Sequence, residues 1–273
     1  MILSIRLACL LILAFVPAAP GYAAEAAGDL YSAQAVVTGQ GEKNRQLGFR
    51  ECLDRVLVRM SGDQRLLARP ELAGLRNKAG ALIASFKYRD RLEGIPIHDE
   101  QGSHDRPHDL SCLFDRAKVD AALASMGSKP WLAERPVVAV FLSVERGTQR
   151  FVLTADGDDG PFMDESLAAA AEPLAMQMVL PSRARIEAAR LDARTLLQPD
   201  FGVLKRAAKD VGGDVPLLGR LAWSDAELGW VADWRIAFEG KTYDWQVRGV
   251  SFDEAFRVAM RGAAQVLSGN GQP

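Results

Sequence analysis

The sequence predicts an α+β fold, with two mixed domains in which helices pack on a mainly antiparallel sheet. Apolar residues alternate with polar ones in several short segments, as in half-buried strands. In other segments they recur at spacings of three and four, as in helices packed on a core. Without a leader, about 250 residues remain, which exceeds the usual size of a single domain. We therefore expect two compact units.

Residues 1–26 have the features of a secretory signal peptide. Arg6 precedes an apolar run from Leu7 to Val16, and Gly21-Tyr22-Ala23 supplies small residues at the positions that a signal peptidase reads. An apolar run of about ten residues is too short for a bilayer, which requires roughly twenty. We expect cleavage at Ala23 or a few residues later, which leaves a soluble protein without a transmembrane span. An uncleaved anchor is the alternative.

Residues 27–128 are predicted to form a small α+β domain. Its clearest element is a helix from Glu42 to Met60, whose apolar residues lie on one stripe. The stripe consists of Phe49, Cys52, Leu53, Val56, Leu57 and Met60. The other predicted elements are a strand at 30–37, a short helix at 70–78, a hairpin of strands at 82–88 and 110–114, and a helix capped by Asp115.

Residues 129–268 are predicted to form a mixed α/β domain, and residues 269–273 a disordered tail. The apolar run Val137–Val144 is typical of a strand that is buried on both faces. A C-terminal antiparallel meander and the helix Phe252–Leu267 complete this domain. The remaining predictions are helices at 165–172, 186–197 and 201–211, a short strand at 176–180, and meander strands at 217–223, 230–238 and 243–247.

Several fragments together resemble a family of exported proteobacterial proteins, domain-of-unknown-function family 2066 (DUF2066). The most specific fragment is the helix that ends in Val58-Arg59-Met60-Ser61-Gly62-Asp63. The others are Leu30-Tyr31, Phe86-Lys87-Tyr88, Phe114-Asp115, Trp131, Arg135-Pro136, Gly219-Arg220-Leu221 and the tryptophans 230, 234 and 245. The resemblance implies a bacterial envelope location and a two-part architecture, and it carries no activity or catalytic residues.

Charge and cysteine content narrow the classes of partner. The net charge is −2, with acidic and basic residues interspersed, so no basic block indicates a nucleic-acid partner. Outside the leader the chain has two cysteines, Cys52 and Cys112, in a compartment that permits disulfides. One interpretation is a bridge, which requires Cα atoms within about 7 Å of each other. The other is a pair of small buried side chains.

All three histidines, His98, His104 and His108, are followed by aspartate within one polar segment, residues 93–109. Imidazole and carboxylate groups are good ligands for zinc, copper or nickel, so these histidines are candidate metal ligands. The spacing matches no established metal motif, and the composition of the segment is typical of an exposed loop. We therefore favour a solvated loop over a metal site.

No catalytic or cofactor-binding motif occurs in the sequence. It lacks a Gly-x-Ser-x-Gly elbow, a His-Glu-x-x-His helix and a phosphate-binding glycine loop. Carboxylate pairs can still perform acid–base chemistry, as in glycosidases. The densest acidic group lies between Asp156 and Glu165, where a solvated turn followed by a helix start is the simpler interpretation.

Four of the five tryptophans lie between Trp223 and Trp245. On the predicted middle strand of the meander, Trp230 and Trp234 share one face and alternate with Asp233 and Arg235. We favour packing of both rings under the C-terminal helix. A possible ligand platform for glycan is the alternative, and it requires rings that face water.

These observations favour a soluble periplasmic protein that acts by binding, as an envelope binding or assembly module without catalytic activity. Its expected partner is an envelope protein or a glycan. The alternatives are a carboxylate-dependent hydrolase of the cell envelope and a metal-binding periplasmic protein.

Overall fold

Two β-sheets organise the part of the chain that the computed structural model describes, residues 30–95 and 105–273. The predicted leader and two candidate metal ligands, His98 and His104, lie outside these residues. The first sheet and its helices comprise β1 Ser32–Thr38, α1 Glu42–Ser61, α2 Glu71–Asn77, β2 Ile83–Asp90, β3 Pro107–Phe114 and α3 Arg116–Ser125. The second comprise β4 Val138–Arg146, β5 Gln149–Val152, α4 Met163–Ala171, β6 Met178–Val179, α5 Arg183–Ala188, α6 Phe201–Asp210, β7 Val215–Ser224, β8 Gly229–Phe238, β9 Lys241–Val250 and α7 Phe252–Leu267.

The first sheet has the order β1-β3-β2, and both pairings are antiparallel. The predicted hairpin is therefore present, and β1 adds to its β3 side. The stripe of α1 covers the inner face of this sheet, with Leu53, Val56 and Leu57 fully buried. Gly48 permits close contact, because a Cβ atom there would lie 2.5 Å from the Leu110 side chain.

Two helix ends, the C-terminal end of α1 and the N-terminal end of α3, follow from their capping residues. Gly62, with φ of 72°, ends α1 in the left-handed conformation, and its N–H donates to the Val58 carbonyl oxygen at 2.7 Å. Asp115 caps α3 by accepting a hydrogen bond from the Lys118 N–H at 3.1 Å. These two ends are confirmed as predicted.

The second sheet has the order β5-β4-β7-β8-β9, with the two-residue β6 paired to the start of β4. β4 and β7 run parallel and the other neighbours on this path are antiparallel, so both sheets together are mainly antiparallel. The α+β fold class is confirmed. The division of the chain into two domains stays a prediction.

Helices cover both faces of β4, which explains its unbroken apolar run. Val140 and Leu142 face a core formed with α4 and α7, whereas Phe141 faces a smaller core formed with α5 and α6. No helix among the described residues is long and apolar enough to cross a membrane.

Three local predictions need correction. The predicted helix at 186–197 is broken into the short α5 and a 3₁₀ turn at Thr195–Leu197, and β5 was not expected. The predicted disordered tail at 269–273 instead contacts the first sheet's helices. Asn270 donates from Nδ2 to the Ser61 carbonyl oxygen at 2.7 Å and accepts from Arg65 at 2.7 Å. These contacts depend on tertiary neighbours, which local composition does not encode.

Candidate functional site

A cleft lies where α1 and the following 3₁₀ helix, Gln64–Ala68, face α4, the 3₁₀ helix Glu172–Leu174 and α7. We call it the α1–α7 cleft. Its volume is about 460 Å³, within the range of roughly 300–1,000 Å³ that is usual for small-molecule sites. The cleft is lined by Asp54, Arg55, Val58, Gln64, Leu67, Ala169, Ala170, Pro173, Leu174, Arg257 and Arg261.

The wall of the cleft is apolar and connects the two sheets. Val58 projects from α1 outside the stripe that covers the first sheet, and it packs into the main core of the second sheet. Ala170 and Leu174 belong to the same core, whereas Leu67 is 37% exposed. Ala169 is exposed on the same helix as Ala170. A ligand in the cleft therefore contacts apolar side chains without any rearrangement of the buried core.

Two arginines hold the backbone beside this wall. Arg59 donates to the Pro173 carbonyl oxygen at 2.6 Å, and Arg135 donates to the carbonyl oxygens of Leu174 and Arg59, the latter at 2.7 Å. The Arg135 guanidinium also lies over the Trp131 ring, 4.6 Å from its centroid. Burial, with a smaller contribution from Arg59, lowers the pKa of Arg135 to about 10, so this side chain stays charged at neutral pH.

The residues that line the cleft include more basic than acidic side chains. Three of the lining side chains are guanidinium groups, those of Arg55, Arg257 and Arg261. Among the lining residues described, Asp54 is the one carboxylate, and Arg76 holds it through hydrogen bonds of 2.7 to 3.1 Å. These bonds raise the pKa of Arg76 despite its partial burial. The Asp54 charge is thus already neutralised.

Two other depressions, of about 580 and 770 Å³, are larger than the cleft but more open to solvent. The first lies between α6 and the β8–β9 turn, and the second surrounds the connection before β4. An open depression encloses less of a ligand than a cleft does. The larger volumes of these two depressions therefore do not make them better candidate binding sites than the α1–α7 cleft.

The two carboxylates that share a depression of about 390 Å³ beside β5 are Glu145 and Asp192. Burial opposes ionisation of Glu145, but hydrogen bonds and charges from Arg220 and Arg150 outweigh it and lower its pKa. Backbone hydrogen bonds from Thr195 and Arg194 lower the pKa of Asp192. Both groups are therefore held as anions, whereas a general acid needs a raised pKa.

His108 does not lie in a solvated loop, and this part of the loop prediction is wrong. It is a residue of β3, and its side chain is buried against Tyr88, with ring centroids 5.9 Å apart. Nδ1 donates to the Arg106 carbonyl oxygen at 2.8 Å, because a carbonyl only accepts, and Nε2 faces the Gln40 amide nitrogen at 3.1 Å. Both ring nitrogens thus have protein partners. Within the described residues, no group of three or more potential ligand side chains could hold a metal ion.

Cys52 and Cys112 lie together in the core of the first sheet. Both are buried and both are free thiols in this structure. Cys52 Sγ lies 3.6 Å from the Ala33 carbonyl oxygen, and Ala33 is the β1 partner of Cys112. A hydrogen bond with Cys112 and burial both raise the pKa of the Cys52 thiol. The bridge between these cysteines stays a prediction.

Trp230 and Trp234 are packed in the core of the second sheet, as the favoured interpretation predicted. They are 6% and 1% exposed. The Trp234 ring meets Phe256 of α7 edge to face at a centroid distance of 6.3 Å. Neither ring has a face open to water, which a ligand platform requires. The exposed tryptophan of this sheet is Trp223, at 37%.

Residues 24–132 match the model of one family, described as Domain of unknown function (DUF8605). The expected resemblance to DUF2066 is wrong, since the matching family is a different one. The match covers the first sheet with its helices and ends at the connection to the second. No curated protein and no solved structure matches the chain.

The residues of the cleft were not among the candidates that the sequence suggested. They come from segments far apart in the chain, and their types, mostly alanine, leucine and arginine, are common on helix surfaces. One signal was available. Val58 is an apolar residue outside the main stripe of α1, and a second apolar position indicates that the helix has a second buried face.

Proposed function

We propose that this chain is an exported binding module of the bacterial envelope, and that the α1–α7 cleft is its binding site. The observation that carries the proposal is the cleft itself, which combines an apolar wall with three arginines among its lining residues. A concave, mostly apolar site with a few convergent polar groups at the junction of two packed units is the usual form of a binding site.

Two features support the location in the envelope. Residues 1–26 have the charge, apolar run and small residues of a secretory signal peptide. The family match begins at residue 24, directly after the proposed cleavage position. Fractionation of a bacterial host that expresses the full chain should recover it in the periplasm with an N-terminus between Ala24 and Ala27. Full-length protein in the membrane fraction would contradict this part of the proposal.

The binding site is tested by filling it. Ala169 is exposed on α4 and lines the cleft, so Ala169→Phe narrows the cleft without altering a buried residue. Ala168→Phe is the matched control, because Ala168 is exposed on the same helix and does not line the cleft. Each protein is purified from the host envelope and extracted with organic solvent, and the extracts are compared by mass spectrometry.

We expect molecules that co-purify with the wild-type protein and with Ala168→Phe to be depleted from Ala169→Phe. Circular dichroism spectra and thermal midpoints establish that both variants fold. If Ala169→Phe retains the same molecules as the control, the cleft is not the binding site and the proposal fails.

A further inference from the structure

We infer that the ligand of the α1–α7 cleft is a single-chain amphiphile with a carboxylate head group. The inference rests on the proposed function and adds the chemical class of the ligand. It is carried by the charges and the apolar contacts that meet at the mouth of the cleft.

The charge balance of the lining favours an anion. Arg55, Arg257 and Arg261 contribute three positive charges, and Asp54 is occupied by two nitrogens of Arg76. When the ion partners Arg76, Glu51 and Glu254 are included, the described side chains around the cleft keep one net positive charge. Because Arg257 and Arg261 share a single carboxylate, a ligand anion that enters the cleft competes with one carboxylate for two guanidinium groups. Guanidinium groups bind carboxylates through paired hydrogen bonds, so a carboxylate head group suits the arginines of the cleft.

The present partner of Arg257 and Arg261 can be displaced at small cost. Arg257 and Arg261 share one carboxylate, that of Glu254, at 2.7 and 3.4 Å. All three of these side chains are 35% or more exposed. Exposed pairs of this kind contribute little to stability, so a ligand carboxylate competes with them readily. Arg55 pairs with Glu51 and also donates to the Gln34 carbonyl oxygen of β1, so its guanidinium is held more firmly, and Arg257 and Arg261 are the groups that a ligand engages.

The apolar wall accounts for the rest of the ligand. Val58 and Leu174 face the cleft from the core, and Leu67 leaves more than a third of its surface in water. Contact with an apolar chain removes that surface from water, which favours binding. A small hydrophilic anion would leave this wall uncovered. A neutral chain would leave the guanidinium groups without a new partner.

The probe is laurate. The protein is the full chain, which is purified and then freed of co-purifying molecules. Binding is measured by isothermal titration calorimetry below the micelle concentration, for laurate, for dodecanol as the neutral chain and for dodecyltrimethylammonium as the cationic chain. The variants are Ala169→Phe with its control Ala168→Phe, and Arg257→Gln/Arg261→Gln with the control Arg248→Gln. Arg248 is an exposed, ion-paired arginine on β9 that does not line the cleft.

We expect laurate to bind at least about tenfold more tightly than dodecanol, and the cationic chain not to bind. The double arginine variant should weaken laurate binding by about 10- to 100-fold and leave dodecanol unchanged, because hydrogen bonds to a charged group are lost. Arg248→Gln should bind laurate like the wild type. Ala169→Phe should lose both chains and Ala168→Phe neither.

The outcomes separate the two proposals. If laurate does not bind, or binds no better than dodecanol, the ligand class is wrong, while depletion of co-purifying molecules from Ala169→Phe still supports the cleft. If laurate binds equally to Ala169→Phe and Ala168→Phe, its site lies elsewhere and the inference fails. Equal loss in Arg257→Gln/Arg261→Gln and Arg248→Gln would indicate a general charge effect, which also overturns it.

Discussion

Trp234 packs against β7 because residue 219 has no side chain. A Cβ atom on Gly219 would lie 2.2 Å from the Trp234 ring and 2.7 Å from Leu142. Both neighbours are buried and cannot move aside freely. We expect Gly219→Ala to lower the free energy of unfolding by about 1–3 kcal/mol through overpacking, as measured by urea denaturation.

The control for this substitution is Gly74→Ala in α2. Among the residues that the structure describes, nothing lies within 4 Å of a Cβ atom at Gly74, and this glycine is exposed within the helix. Alanine has the higher helix propensity, so this variant should be more stable by about 0.5–1 kcal/mol. Equal stability of Gly219→Ala and the wild type would show that Trp234 does not approach β7 as described.

The pH at which the Tyr31 phenol ionises tests whether this side chain is buried. Burial, reinforced by the hydrogen bond to Asp120 at 2.9 Å and the charge of that carboxylate, raises the pKa of Tyr31 to about 12. Because the neutral phenol is favoured in the folded state, its contribution to stability is complete below about pH 10, the ordinary tyrosine pKa. That contribution is lost as the pH rises from about 10 to about 12.

We expect absorbance at 295 nm, the phenolate band, to show a tyrosine ionisation near pH 12 that Tyr31→Phe lacks. Far-ultraviolet circular dichroism at each pH establishes that the fold persists. Complete ionisation of every tyrosine near pH 10 in the folded protein would contradict the burial of Tyr31.

Helix α1 contributes buried residues to the cores of both sheets, mostly to that of the first. Leu57 is fully buried in the first core, whereas Leu47 on the same helix is 53% exposed. Leu57→Ala should destabilise the protein by about 2–5 kcal/mol, and the matched Leu47→Ala should change stability by less than about 0.5 kcal/mol. Urea denaturation measures both. A small effect at Leu57 would mean that the stripe of α1 does not face the first sheet.

The elements that the sequence predicts well are those with a local pattern. The stripe of α1, the alternation of β8 and the Asp115 cap each appear within a few turns or residues of chain. The parallel pairing of β4 with β7 and the burial of His108 leave no such local pattern, because both depend on partners that are remote in the sequence. The cleft belongs to this second class, since its residues span positions 54 to 261.

At the scale of the whole molecule, contacts at the C-terminal end of α1 join the first sheet and its helices to the second half of the chain. Val58 of α1 packs in the second core, and the Trp131 N–H donates to the Met60 carbonyl oxygen at 2.5 Å. At the far end of the chain, Asn270 contacts Ser61 and Arg65. These contacts link the end of α1 to three separate parts of the second half, so we expect the chain to unfold as one cooperative unit.

Arg135 tests this connection, because it joins the carbonyl oxygens of Arg59 and Leu174 across the junction. Arg135→Ala leaves two carbonyl groups without this donor, at about 1–3 kcal/mol for each group that stays buried and unpaired. In differential scanning calorimetry, the wild type should give one transition with equal calorimetric and van't Hoff enthalpies. Arg135→Ala should lower the midpoint of this single transition, because one contact between the two sheets is lost while those of Val58, Trp131 and Asn270 remain. Arg248→Ala, at an exposed ion pair on β9, should leave the midpoint nearly unchanged. Two transitions already in the wild type would show that the halves unfold independently, which would contradict a single cooperative unit.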